Sequence, residues 1–197
     1  MSEKLRYESN GDGWLSSTTG AYRFSENADV IGNFVARGSN EYKDGNGDIV
    51  RWTGEDVLSG FGKATFRPAD GHVIKIGASV QRYDDIISAS SGSASPTLTR
   101  YYAETKVENY TASYSYNPLD NPFWDFTANV YHSATRSDQT HVVTSAVRYY
   151  DVSTTGLNLY NASRFEAGGM QHTLTYGADY AHLSGDSTDA NFGRGTQ

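Results

Sequence analysis

Residues 123–135 have the sequence FWDFTANVYHSAT, in which apolar and polar side chains mostly alternate. Trp124, Phe126 and Val130 share one parity, and polar residues such as Thr127 and Asn129 share the other. Successive side chains of a β-strand point to opposite faces of the sheet, whereas a helix would repeat every 3.6 residues. The segment is therefore predicted to be a strand with one apolar and one polar face.

The same period of two runs through most of the chain. Seven further segments show it, the last three less regularly: 56–66, 72–83, 107–116, 172–182, 14–24, 29–37 and 152–165. The sequence thus predicts an all-β fold, an antiparallel up-and-down meander of about eight strands.

The predicted connections alternate between short and long. Each short one carries Pro, Gly, Asn or Asp, which favour tight turns; they are Ser25–Asp29, Arg67–Gly71, Asn117–Pro122 and Glu166–Gly169. The long ones are rich in small polar residues and cover about 38–55, 84–104 and 137–151. Tight turns at one end and long polar loops at the other are typical of an up-and-down sheet.

Strand length and aromatic placement indicate a membrane barrel. A strand crosses a bilayer with about 9–11 residues, close to the length of these segments. Aromatic residues at the level of the short turns are expected to form a membrane-interface girdle, and they are Phe24, Phe66, Tyr116, Trp124 and Phe165. The apolar face would contact lipid and the polar face would line a lumen.

Composition excludes several other classes. The chain of 197 residues has no Cys, which excludes disulfides, thiolate metal sites and a Cys nucleophile. A net charge of −7 disfavours a nucleic-acid partner, because phosphate binding needs a basic surface. Mean hydropathy is −0.60, and no run approaches the ~18 apolar residues of a membrane helix. The first eight residues have no apolar h-region, so a signal peptide is not expected in them.

Four stretches resemble the barrel of TonB-dependent outer-membrane receptors. GLNLYNASRF (156–165) followed by HTLTYGADY (172–180) is similar to a hairpin of the haem/haemoglobin branch, and FRPADGH (66–72), YNPLDNPFWDF (116–126) and GSNEYKDGNG (38–47) resemble the same barrel. The resemblance spans roughly residues 10–185.

That resemblance implies a bacterial outer-membrane location and a part of a larger transmembrane barrel. Family members carry a signal peptide, a TonB box, a plug domain and about 22 strands. The expectation is that residues 1–197 form a partial barrel domain, without the plug, the signal peptide or the C-terminal strands. The implied partners are outer-membrane lipid, TonB through the plug of a parent protein, and an iron-carrying ligand such as haem, haemoglobin or a siderophore.

The sequence offers no catalytic set, metal site or resident cofactor. Asp44–Glu55 departs from a calcium-loop template, because Ile49 stands where the template needs Gly. No nucleophile elbow occurs, so the chain is not expected to be an enzyme. The ligand-binding candidates are His141, Tyr149 and Tyr150, which fall in a predicted outer loop, because His and Tyr are axial ligands of haem iron.

Three alternatives stay open at this stage. A self-contained eight-strand outer-membrane barrel could serve as an adhesin or structural anchor, because eight strands can close by themselves. A soluble β-barrel or sandwich that binds a small ligand shares the alternation. An outer-membrane enzyme would need a convergent catalytic set.

Overall fold

The computed structural model describes residues 1–88, 100–189 and 193–196, and nearly all of them belong to one antiparallel sheet. The ten strands in this part of the chain are β1 (Ser2–Glu8), β2 (Gly13–Ser25), β3 (Ala28–Ser39), β4 (Glu55–Phe66), β5 (His72–Ser88), β6 (Arg100–Tyr116), β7 (Phe126–His141), β8 (Val147–Ala167), β9 (Met170–Asp189) and β10 (Gly193–Thr196). Among these residues, none forms a helix that is long and apolar enough to span a bilayer.

Each strand pairs with the next one along the chain, in the order β1 to β10. The predicted all-β meander is therefore confirmed, and each of the eight predicted strands coincides with one of β2 to β9. Residues 123–125, the start of the segment quoted first, belong to a turn, and β7 begins at Phe126. The sequence analysis missed β1, an exposed charged strand at the edge of the sheet, and the short β10.

The predicted tight turns all lie at one end of the sheet, here called the short-turn end. They occupy residues 26–27, 67–71, 117–125 and 168–169. Gly168 and Gly169 both have positive φ, which suits the two-residue turn between β8 and β9. The opposite end, here called the loop end, carries residues 9–12, 40–54 and 142–146.

Two of the three predicted long loops begin later and end earlier than predicted. β5 continues to Ser88 and β6 begins at Arg100, so both ends of the predicted loop 84–104 are strand, and its residues 89–99 lie outside the described residues. The predicted loop 137–151 shrinks to 142–146. Near the loop end charged side chains such as Arg82, Glu104 and Asp138 take the parity of the apolar face, so the alternation seen nearer the short turns is lost although the hydrogen-bonded ladder continues. The loop 38–55 is confirmed in essence as residues 40–54.

The two faces of the sheet differ in chemistry as the alternation predicted. Antiparallel partners share a face, and Ile76, Ala112, Val130, Leu157 and Tyr180 form one row of partners across β5 to β9. This side is called the apolar face below, and the side of Lys75 the polar face. Ile76 is 59% exposed, Val130 51% and Leu174 55%, so these side chains form no dry interior.

Buried residues gather mainly on the polar face near the loop end. Val57, Tyr101, Ala103, Thr105 and Gln139 are each less than a tenth exposed. Crowding of side chains on one side is expected when a sheet curves toward that side, as the wall of a barrel does. The polar face is therefore assigned as the concave one.

A buried asparagine fixes the third short turn against the apolar face. Asn161 is 4% exposed; its Oδ1 accepts from the N–H of Asp125 at 3.1 Å, and its Nδ2 donates to the carbonyl of Phe123 at 2.9 Å. Nδ2 also lies 3.0 Å from the hydroxyl oxygen of Tyr176. Because every polar atom of this side chain has a partner, its burial is compensated.

Candidate ligand-facing site at the loop end

A cluster of cationic and aromatic side chains occupies the polar face at the loop end of β6, β7 and β8. Arg148 lies with its guanidinium carbon 3.7 Å from the ring centroid of Tyr101 and 5.4 Å from that of Tyr150. Its Nε donates to Oε1 of Gln139 at 2.7 Å. Stacking on tyrosine and a hydrogen bond to a buried amide orient the guanidinium, so a fixed positive charge is held on this face.

The register explains why these side chains meet. Tyr101 on β6 is the direct partner of His141 on β7, and Gln139 is the direct partner of Arg148 on β8. Arg148 and Tyr101 are therefore neighbours across β7, within the reach of a long side chain.

His141 was predicted to lie in an outer loop, and this placement was wrong. It is the last residue of β7, is 7% exposed, and its ring meets that of Tyr101 edge-on at 5.0 Å. Its Nδ1 accepts from the N–H groups of Val143 and Thr144 at 3.2 and 3.1 Å. A neutral imidazole has one acceptor nitrogen, so this lone pair serves the β7–β8 turn. Its contact with a ligand stays a prediction.

Tyr149 and Tyr150 were also placed in that loop, but both lie in β8 and point to opposite faces. Tyr150 is on the polar face beside Arg148 and is 39% exposed. Tyr149 is on the other face, where its hydroxyl donates to Oδ2 of Asp186 at 3.0 Å and its ring centroid lies 5.4 Å from the guanidinium of Arg136. The structure thus brings His141 and Tyr150 into one cluster and separates Tyr149 from it.

Sequence reasoning missed three members of the cluster: Tyr101, Gln139 and Arg148. Parity could have assigned each of them to the polar face, though not to one cluster, because each continues the polar-face series of its own strand. The predicted loops 84–104 and 137–151 excluded these three residues from the strands.

Carboxylates line a neighbouring cavity of about 560 Å³ between the loop 40–54 and the ends of β4 to β7. They are Glu41, Glu55, Asp56, Asp84, Asp85, Glu104 and Asp138. No group of three or more His or carboxylate side chains in the described ranges has a geometry that could hold a metal ion. Asp56, Asp84, Glu104 and Asp138 form one row of direct partners with the parity of the apolar face, so much of this negative charge lies on the opposite side of the sheet from Arg148.

Asp85 is a carboxylate of this cavity whose pKa is raised. Burial raises the pKa of its carboxyl, and the charges of Glu55 and Asp84 raise the pKa further. Asp138 is the opposite case, because a hydrogen bond from Arg136 lowers the pKa of its carboxyl.

Asp85→Asn should change the pH dependence of stability. Because the pKa of Asp85 is raised on folding, its contribution is fully present below the unfolded pKa and is lost as the pH rises through the folded pKa. The variant should therefore gain in free energy of unfolding, relative to the wild type, as the pH rises from about 3 to 8. Denaturant titrations across this pH range measure the difference.

Asp138→Asn is the matched control with the opposite sign. The lowered pKa of Asp138 stabilises the fold above the unfolded pKa, and this contribution is lost as the pH falls through the folded pKa. The control should therefore lose stability relative to the wild type at neutral pH and approach it in acid. Parallel pH profiles of the two variants would contradict the assignment.

The five predicted girdle residues all lie at the short-turn end and share the parity of the apolar face. Four of them are exposed, at 65% for Phe24, 49% for Phe66, 46% for Trp124 and 39% for Phe165. Tyr116 is half-buried, with its ring centroid 4.5 Å from that of His72.

The architecture is that of a barrel wall: a meander whose apolar face is exposed and whose concave face is polar. No family model matches the sequence, and no curated protein matches it significantly. Solved structures do match. The chain has the fold of the barrel wall of TonB-dependent receptors.

Two of these structures illustrate the likeness. One is the hemophore receptor HasR of Serratia marcescens, as a double mutant in complex with its hemophore HasA and heme. It has a TM-score of 0.76 and 20% identity, and the match covers 92% of this chain and 26% of HasR. The other is the iron transporter FrpB of Neisseria meningitidis, with a TM-score of 0.71, 17% identity, and coverage of 91% and 30%. The chain thus spans less than a third of either neighbour.

Proposed function

We propose that this chain is a wall segment of an outer-membrane receptor that takes up haem or another iron carrier. The observation that carries the proposal is the division of one continuous sheet into an exposed apolar face and a polar concave face. In lipid, strands satisfy their backbone groups only within a closed barrel, so the edge strands would pair with further strands of a larger protein. The names of the two structural neighbours, a hemophore receptor and an iron transporter, support this choice of cargo.

In this proposal the apolar face contacts acyl chains and the girdle lies at the inner interface of the outer membrane. Aromatic side chains favour that level because they combine an apolar ring with a polar edge or hydroxyl. The concave polar face lines the lumen, where a plug domain of the full protein would sit and would transmit the energy supplied through TonB.

The loop-end cluster is the proposed cargo contact of this segment. Arg148 is held in place by Tyr101 and Gln139, and Tyr150 is the exposed aromatic beside it. A fixed guanidinium and an aromatic ring together suit a flat carrier with acidic groups, because the guanidinium pairs with carboxylates and the ring stacks. Haem, a planar ring with two propionate groups, has this chemistry.

Tyr150→Ala should weaken carrier binding by about tenfold, the loss typical of a central aromatic contact. Tyr149→Ala is the matched control, since it removes the same side chain from the neighbouring position on the opposite face. Titration of the detergent-purified protein that carries this chain with haem, and separately with a ferric siderophore, measures the affinities. Equal affinities in both variants and the wild type would remove the cluster from the cargo site.

A further inference from the structure

On the apolar face, the stretch of large apolar side chains has a lower boundary near the short turns and an upper boundary toward the loop end. From β4 to β8, both boundaries shift by the same number of residues. On β4 the large apolar side chains extend from Phe66 at the short-turn end to Leu58. On β8 they extend from Phe165 to Leu157. Both segments span the same number of positions, but they do not lie on the same rows of hydrogen-bonded partners.

The lower boundary descends from β4 to β8. The row of direct partners that starts at Phe66 runs through Ile74, Tyr114 and Ala128 to Leu159. The aromatic residue of the girdle on β8 is Phe165, six positions beyond Leu159 toward the short-turn end. The girdle therefore moves six residues along the strand direction while crossing four strands.

The upper boundary descends by the same amount. The row that starts at Leu58 runs through Arg82, Lys106 and Arg136 to Asp151. On β8, Leu157 is the last large apolar side chain of this face before the polar run of Thr155, Ser153 and Asp151, and it lies again six positions from Asp151 toward the short-turn end. The stretch between the two boundaries, here called the apolar band, thus keeps its width from β4 to β8. It runs at an angle to the rows of hydrogen-bonded partners.

On β7, β8 and β9, polar side chains lie on the loop-end side of the inclined band. His132, Thr155 and His182 are direct partners on β7, β8 and β9, and Nδ1 of His132 lies 2.8 Å from Oγ1 of Thr155. A band parallel to the rows and bounded by the row of Leu58 would bury these three residues in hydrocarbon together with Asp151. Such burial is costly for a charge and for hydrogen-bonding groups.

We infer that the bilayer crosses the apolar face obliquely, along a band bounded by Leu58 and Leu157 above and by Phe66 and Phe165 below, so that His132, Thr155 and His182 lie outside the hydrocarbon. The inference rests on the proposed lipid contact of the apolar face. It adds where the bilayer lies on that face and at what angle it crosses the rows of partners. A shift of six residues over four strands corresponds to a strand tilt of about 45°, because a residue rises about 3.3 Å and strands lie about 4.8 Å apart. Membrane barrels have tilts of about 35–45°.

Val80 and Ser184 provide the test, because they belong to one row, through Glu108, Ala134 and Ser153, but lie on opposite sides of the inclined boundary. Each is replaced by Cys and spin-labelled in the protein that carries this chain, reconstituted in phosphatidylcholine vesicles. The chain has no native Cys that would compete for the label. The ratio of accessibility to oxygen over a water-soluble nickel chelate should be several-fold higher at Val80 than at Ser184.

Ile76→Cys and Ala178→Cys serve as reference sites, since both lie within the inclined band. Equal ratios at Val80 and Ser184, with both references in hydrocarbon, would overturn the inclination and leave the lipid-facing wall intact. Reference sites that are accessible to the nickel chelate would overturn the proposed lipid contact, and the inclined band with it.

Discussion

Ile76→Arg should destabilise the membrane-embedded protein by about 2–4 kcal/mol, the cost of an arginine on the lipid face near the bilayer midplane. Ile76 is 59% exposed on the apolar face and lies near the middle of the inclined band. No dry core surrounds it, so a soluble β-domain would tolerate the same change as an ordinary surface substitution. Denaturant titration of the protein in phosphatidylcholine vesicles measures the free energy of unfolding.

Thr175→Arg is the matched control for this substitution. Thr175 is exposed on the polar face of β9, and its direct partner is Ala162, so the new charge would remain in water. The control should stay within about 0.5 kcal/mol of the wild type. Equal losses for the two variants would contradict the assignment of the faces.

Gly156→Val should destabilise the fold by about 1–3 kcal/mol, the usual cost of overpacking. Gly156 on β8 is the direct partner of Tyr131 on β7, and the phenol ring of Tyr131 covers it so closely that an added Cβ would collide with the ring. Glycine in the middle of this strand therefore makes room for a neighbouring side chain. Unfolding titrations of the variant measure the loss.

A double-mutant cycle separates this collision from a general intolerance of side chains in strands. Adding Tyr131→Ala to Gly156→Val removes the ring, so the two substitutions should couple by about 0.5–3 kcal/mol. Gly62→Ala on β4, where an added Cβ meets no atom within 4 Å, should cost little. Additive losses in the cycle would show that Tyr131 does not occupy the space.

The apolar band was accessible to sequence reasoning because lipid and water impose a period of two on the strands that separate them. Residues 72–83 and 172–182 gave the faces of β5 and β9, and the Pro, Gly and Asn residues gave the short turns. The alternation could not give the strand ends above the band, because in a segment such as Arg100–Lys106 the charged residues Glu104 and Lys106 take the parity of the apolar face.

The loop-end cluster was only half predictable. His141 and Tyr150 were predicted from their position in an expected outer loop, and they do lie in one cluster. The cation that completes it, Arg148, depends on the register of β7 with β8, which a single sequence does not contain. Tyr149 was predicted from the same loop position, but it lies in a strand, where neighbouring residues face opposite ways.

Fluorescence quenching by brominated acyl chains tests the lipid contact of the apolar face most directly. Trp14, Trp52 and Trp124 are replaced by Phe, and one tryptophan is introduced by Ile76→Trp or, at the adjacent position on the polar face, by Lys75→Trp. In vesicles of brominated phosphatidylcholine, the tryptophan at position 76 should be strongly quenched and the one at position 75 should keep most of its emission. Similar quenching at both positions, or none at position 76, would contradict a wall with one side in lipid and the other in water.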